Sequence, residues 1–262
     1  MSPDSKIALV TGASGGMGSA FAHHLADRGY DLVLVARNRA RLDSLAADIA
    51  GRTSRHAEVL AGDLTKDADL ARVEERLRTD AGIEVLVNNA GGGMFGPLAE
   101  TDLAAAEELI RLNVTAFTRL AVAATAAFSA RDKGIMLNVS SALAVGVLPV
   151  SAVYSGTKGY VLSFTQALQE ELAGTGVRVQ TFLPGATHTS FWDGSGVELT
   201  DFPSEAIMSV DDAVNAAFAG LDAGESITIP SLPDDEWAAL EETLRTAGPH
   251  FSRARPATRY AS

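Results

Sequence analysis

The first 36 residues constrain the fold of this chain more than any other stretch. Lys6-Ile-Ala-Leu-Val10 is a short, nearly continuous apolar run, the pattern of a strand buried on both faces. It leads into Thr11-Gly-Ala-Ser-Gly-Gly-Met-Gly18. A segment of helical period follows, carrying Phe21 and Leu25 and stopped at Arg28-Gly29. Asp31 to Ala36 is a second run of the buried-strand type. Strand, glycine turn, helix and strand form a crossover that sets two strands parallel, right-handed by default.

In that setting Gly12, Gly16 and Gly18 gain a meaning beyond a tight turn, which is the competing reading. A glycine turn that opens a helix lets backbone N–H groups approach a pyrophosphate, and the helix N-terminus favours its charge. The end of the second strand is where such a site meets the adenosine ribose. A carboxylate there favours a free 2′-hydroxyl, whereas a basic residue accepts a 2′-phosphate. The sequence is Ala36-Arg37-Asn38-Arg39, without a carboxylate, so the expected cofactor is NADP(H), with Arg37 and Asn38 on the phosphate. Solvated loop arginines are the alternative.

The strand–helix alternation continues along the chain. Arg41 to Ala50 reads as a helix and Ala57 to Ala61 as a third strand, ending in Gly62-Asp63-Leu64-Thr65. Asp63 either accepts from an adenine amino group or, with Thr65, caps the helix over Asp67 to Asp80. Glu84 to Asn88 is a fourth strand running into Asn88-Asn-Ala-Gly-Gly-Gly93, whose small residues let backbone lie against a flat ring; an ordinary turn is the alternative. Asp102 to about Ala130 reads as one long alanine-rich helix, suited to a subunit interface or to simple packing. Asn113 sits inside it, where asparagine is mildly unfavourable, and so has either a polar task or a solvated position.

Gly134 to Val139 is a fifth strand ending in Ser140-Ser141. Beyond an irregular apolar stretch stand Tyr154 and Lys158, four residues apart, ahead of a helical run from Tyr160 to Leu172. If that helix begins at or before Tyr154, phenol and ammonium share one face. A cation about 4 Å from a tyrosinate contributes roughly 4 kcal/mol at an effective dielectric of about 20. That would lower the phenol by up to ~3 units, into the range for proton exchange with a carbonyl or alcohol oxygen. Ser141 either polarises that oxygen or merely ends the strand.

Val177 to Leu183 is a sixth strand stopped by Pro184-Gly185. Residues 186–209 lack periodicity and are expected to form a lid. A helix from Val210 to Leu221, a short strand from Ser226 to Ile229, a helix from Pro233 to about Thr246 and a loose basic tail, Arg253 to Ser262, complete the chain. With 262 residues, 47% of them hydrophobic, and no repeat or linker, the expectation is a single α/β domain spanning 1–262. No run approaches the ~20 apolar residues of a membrane span. Met1 to Lys6 lacks an apolar signal region, so a cytoplasmic location is expected. The absence of cysteine excludes disulfides and thiol catalysis, and a formal charge of −12 argues against nucleic acid or anionic membranes as partners.

In this order and spacing, Thr11 to Gly18, Asp63, Asn88 to Gly91, Asn113, Ser141, Tyr154, Lys158 and Pro184-Gly185 resemble the short-chain dehydrogenase/reductase family in its short form. The resemblance covers about residue 6 to 230. It implies a Rossmann-type, doubly wound, seven-stranded parallel sheet with helices on both faces. It implies Tyr154 as acid/base, Ser141 holding the substrate oxygen, Lys158 on the nicotinamide ribose and lowering the phenol, and Asn113 holding a relay water. It adds Ser14, Met17, Leu64, Asn89, Ala90, Gly91, Pro184, Gly185 and Thr187 to the cofactor contacts, and Thr189 to the carboxamide. No metal is required. Thr157, Ala144 and Gly15 depart from the family pattern. Gly15 stands where many NADP-dependent members carry a basic residue.

The expected activity interconverts a ketone or aldehyde and an alcohol. The pocket wall is drawn from Met94, Phe95, Leu143, Val145, Leu148, Phe191, Trp192 and Met208, which suits a moderately hydrophobic substrate. The resemblance also implies a homodimer or homotetramer built on the helices over Asp102 to Ala130 and Tyr154 to Leu172. A silent cofactor-binding sensor or scaffold is the rival class, and such proteins usually lose the tyrosine or lysine. Sugar-nucleotide epimerisation would need more chain after Pro184.

Overall fold

Strands whose residues are apolar throughout must be covered on both sides, and those at the N-terminus are. In the computed structural model, which describes residues 6–247, β1 (Ile7–Thr11) and β2 (Asp31–Ala36) are buried along their whole length. Alternation divides the core. Ala8 and Val10 of β1 point into one apolar cluster, whereas Ile7 and Leu9 point into the other. The first cluster gathers Phe21 of α1 (Gly16–Asp27), Leu42 of α2 (Arg39–Arg52) and Phe218 of the helix over Val210–Ala223. The second gathers Val73 of α3 (Asp67–Thr79), Phe128 of the helix over Phe117–Arg131 and Leu168 of the helix over Ala152–Glu171.

The remaining strands are β3 (Ala57–Ala61), β4 (Ile83–Asn88), β5 (Gly134–Val139), β6 (Val177–Phe182) and β7 (Ile227–Thr228). The helices are α4 (Leu103–Ile110), α5 (Phe117–Arg131), α6 (Ala152–Glu171), α7 (Val210–Ala223) and α8 (Asp234–Ala247). Seven strands form one sheet in the order β3-β2-β1-β4-β5-β6-β7, and every adjacent pair is parallel. The strand order reverses between β1 and β4, so the crevice at their carboxyl ends is the place where this fold receives a ligand.

The chain divides into two compact units, Met1–Pro230 and Ser231–Ser262. The second contains α8, which opens on Asp234, Asp235 and Glu236, acids that suit a helix N-terminus. The tail from Arg253 lies outside the described residues.

Two expectations are corrected. The helix expected over Asp102 to Ala130 is interrupted: α4 and α5 are joined by a π-helical turn, Arg111–Ala116, which contains Asn113. Neither Asp63 nor Thr65 caps α3, whose N-cap residue is Lys66, without a side-chain bond. Asp63 instead closes its own turn, accepting from the Thr65 N–H at 2.9 Å and hydroxyl at 2.8 Å. The aperiodic segment 186–209 holds three short 3-10 turns, Ser190–Trp192, Leu199–Asp201 and Ser204–Ala206, and is pinned by a bridge between Thr187 and Met208. No helix among the described residues is long and apolar enough to cross a membrane.

Candidate active site

A cavity of about 1040 Å³ opens at the carboxyl ends of the strands. One end is the glycine turn. Gly12 and Gly16 have φ of +69° and +54°, left-handed values that side chains resist. A Cβ on Gly18 would run into the Gly12 carbonyl oxygen, so the turn closes this tightly only with glycine there. Gly15 is the N-cap of α1 and offers no side-chain bond, which leaves the first-turn N–H groups of a 12-residue helix free for an anion.

The loop after β4 is bound to the end of β1. The Thr11 hydroxyl accepts from the N–H of Asn89 at 3.0 Å and of Ala90 at 2.9 Å, while the Asn89 amide donates to the Thr11 carbonyl at 2.8 Å. Asn88 faces inward and donates to the Phe117 carbonyl at 3.0 Å. At the end of β2, Arg37, Asn38 and Arg41 line the cavity together with Asp63 and Leu64. The Asn38 side-chain oxygen caps α2 on the Arg41 N–H at 3.1 Å. Burial raises the Asp63 carboxyl, but the Thr65 bonds and the Arg37 charge outweigh it and hold its pKa below the usual value.

At the other end stand Ser141, Tyr154 and Lys158, exposed by only 7%, 6% and 5%. Helix α6 begins at Ala152, so the two α6 side chains share a face, with the ammonium 5.9 Å from the phenol ring centroid. The expected acid phenol is not what these side chains produce. Burial pushes Tyr154 up to about 12, against a smaller downward pull from Ser141. Burial likewise lowers Lys158 to about 8. Desolvation penalises the charged form of both groups and outweighs the attraction between them.

Every residue proposed from the sequence for catalysis or for the cofactor lines this one cavity except Asn113, as do Leu143, Phe191 and Trp192 of the expected substrate wall. Asn113 is buried behind it. Its Oδ1 accepts from the Gly92 N–H at 2.9 Å, and its Nδ2 donates to the Gly92 carbonyl and the Thr157 hydroxyl, each at 3.0 Å. Thr157 in turn donates to the Tyr154 carbonyl at 2.7 Å. These contacts make Asn113 a clamp between the loop after β4 and the start of α6. Of the expected wall, Val145 and Met208 do not line the cavity. Val145 is 45% exposed, and Met208 packs on the α1–α7 side of the sheet. Two further residues belong to the site. Arg41 lies one turn beyond Arg37, and Thr157 is the link from Asn113 to Tyr154.

An open parallel sheet with a glycine turn at its switch point defines a dinucleotide-binding fold of the Rossmann type. Residues 6–197 match the short chain dehydrogenase family, and the chain belongs to it, a family of NAD(P)-dependent oxidoreductases. It is similar to a short-chain dehydrogenase from Sphingobium yanoikuyae solved in complex with NADPH, at 41% identity and a TM-score of 0.91, covering 97% of this chain and 99% of that one. It is also similar to the bulky-bulky ketone specific alcohol dehydrogenase from Comamonas testosteroni, at 36% identity and a TM-score of 0.88, covering 99% and 100%. An uncharacterized oxidoreductase of Staphylococcus saprophyticus is 31% identical over 185 residues, 70% of this chain and 79% of that protein.

Proposed function

We propose that this protein is an NADP(H)-dependent oxidoreductase that interconverts a bulky, apolar ketone or aldehyde and its alcohol, with Tyr154 as the acid/base. The observation that carries the reading is the burial of Ser141, Tyr154 and Lys158 in a cavity whose far end offers a glycine turn, a free helix N-terminus and two arginines. These residues fit the cofactor. Gly12, Ser14, Gly16, Met17 and Gly18 would hold the pyrophosphate, and Arg37 with Arg41 the 2′-phosphate. Asp63 and Leu64 would face the adenine; Asn89, Ala90, Gly91, Pro184, Gly185, Thr187 and Thr189 would enclose the nicotinamide half. When bound, the nicotinamide supplies or accepts the hydride.

The protein's own part is orientation and proton transfer. Ser141 donates to the substrate oxygen and fixes it beside the phenol. Tyr154 gives its proton to that oxygen on reduction and takes it back on oxidation. Its raised pKa keeps the phenol protonated at neutral pH, the form required for reduction. Lys158 supplies positive charge and donors to the ribose. Leu143, Phe191 and Trp192 form the wall for the substituents of the carbonyl, without a charged group among them.

The test is steady-state kinetics on a panel of bulky ketones with both cofactors. Tyr154→Phe is expected to lose roughly 10³-fold in kcat while NADPH still binds. Retained turnover would overturn the acid/base assignment, and equal or better use of NADH would overturn the cofactor preference. The proposal extends to a homodimer or homotetramer. Exposed Leu103, Ile110, Val122 and Tyr160 on α4, α5 and α6 offer the apolar surface, and light scattering measures the mass.

A further inference from the structure

The ring of Tyr154 packs against two phenyl rings from different parts of the chain. Phe95, in the loop after β4, stands 5.3 Å away at 51°, and Phe191, in the segment after β6, stands 5.6 Å away at 54°. Phe95 also stacks on Trp192 at 5.8 Å and 21°. It is 6% exposed, and its backbone is tied on two sides. The Phe95 N–H donates to the Ser195 carbonyl at 2.7 Å, and the next N–H, of Gly96, donates to the Val150 carbonyl at 2.8 Å, two residues before α6. Gly196, at φ +95°, approaches the Phe95 carbonyl so closely that a Cβ there would collide with it. The loop after β4, the segment after β6 and the start of α6 therefore meet at one residue whose ring packs against the tyrosine.

We propose that Phe95 is a positioning residue that acts through Tyr154, holding the phenol ring in its orientation and keeping water from it. The inference rests on the acid/base reading of Tyr154. Its rival is that Phe95 is only a wall for the substrate. The geometry favours positioning, because paired aromatic rings at these separations prefer defined angles, and because the backbone of Phe95 is anchored independently of any ligand. The influences on the phenol are burial first and the Ser141 hydroxyl second. Lys158 on its own helix is the charged group beside it, while Arg37, Arg41, Asp63 and Glu108 line other parts of the same cavity.

Phe95→Ala and Phe95→Leu test the idea with two readouts. In the cofactor-free protein labelled at tyrosine 13Cζ, the Tyr154 signal, assigned with Tyr154→Phe among four tyrosines, is titrated by NMR. Phe95→Ala is expected to move that titration down by about one unit as water reaches the phenol, with Phe95→Leu in between. With substrate, Phe95→Ala is expected to lower kcat by about 10-fold at little change in KM. An unmoved titration in the soluble Leu variant, or a raised KM at unchanged kcat, overturns the proposal. The titration needs no activity, so it reads the clamp even if the proposed reaction is wrong.

Discussion

The Lys158 ammonium donates to the main-chain carbonyl of Val139 at 3.0 Å and, among the described residues, is assigned no carboxylate partner. The bond joins the first turns of α6 to the last residue of β5. The Ser140 hydroxyl returns it by donating to the Lys158 carbonyl at 2.7 Å. One carbonyl does not offset the desolvation of an ammonium, and the lysine falls from 10.5 to about 8.

That shift sets a pH dependence of stability. Below pH 8 both folded and unfolded chains hold the proton, and the folded state bears the full cost of the buried charge. Between 8 and 10.5 the unfolded chain binds more protons, so stability rises with pH. Tyr154 works the other way: raised from 10.0 to about 12, its contribution is complete below pH 10 and is lost from there to 12. Lys158→Met should lack the rise, which amounts to as much as about 3 kcal/mol over the full window. Urea unfolding at about pH 7.5 and 9.5 reads the difference; parallel slopes in the two proteins would refute it.

Asn113→Ala removes three hydrogen bonds and is expected to cost about 2–4 kcal/mol, whereas Thr157→Val removes one of them together with the bond from the Thr157 hydroxyl to the Tyr154 carbonyl, and should cost about 1–2. Equal losses for the two variants in chemical denaturation would mean that the link through Thr157, rather than the grip on Gly92, dominates.

Gly15 and Gly18 should respond oppositely. A Cβ at Gly18 strikes backbone, and Gly18→Ala is expected to cost about 3 kcal/mol and abolish cofactor binding. Gly15 is extended, with nothing within 4 Å of a Cβ. Gly15→Arg adds a cation beside the cavity and should strengthen NADPH over NADH by about 10-fold, worth about 1.4 kcal/mol. Calorimetric titration with both cofactors checks it, and an unchanged ratio would place the 2′-phosphate elsewhere.

Gly93→Ala probes how the segment after β6 packs on the loop after β4. A Cβ there would stand 2.5 Å from the Phe191 ring, which must swing off Tyr154 to admit it. Since a side chain rather than backbone yields, the melting temperature should barely change. The kcat/KM for a bulky apolar ketone should fall about 10-fold. A large loss of thermal stability would show that the loop, not the ring, had moved.

The strands were readable because each is a local apolar run, and the helices because their period is local too. The order and spacing of Gly12, Asp63, Asn89, Ser141, Tyr154 and Lys158 sufficed to gather them at one crevice, since parallel strands all end on the same side of the sheet. The π-helical turn at Asn113 was not legible. Its asparagine answers Gly92 and Thr157, 21 and 44 residues away, and nothing in the adjacent Leu112 and Val114 announces it. Nor could spacing reveal that Phe95 would lie against Tyr154.

What the amino-acid sequence determined alone was the alternation of elements, the sheet that follows from right-handed crossovers, and the helical face shared by Tyr154 and Lys158. Only the tertiary structure decided how acidic those groups are. Attraction between two side chains can be judged from their spacing, but the cost of removing each from water depends on everything packed around it, and here that cost reverses the expected direction for the phenol.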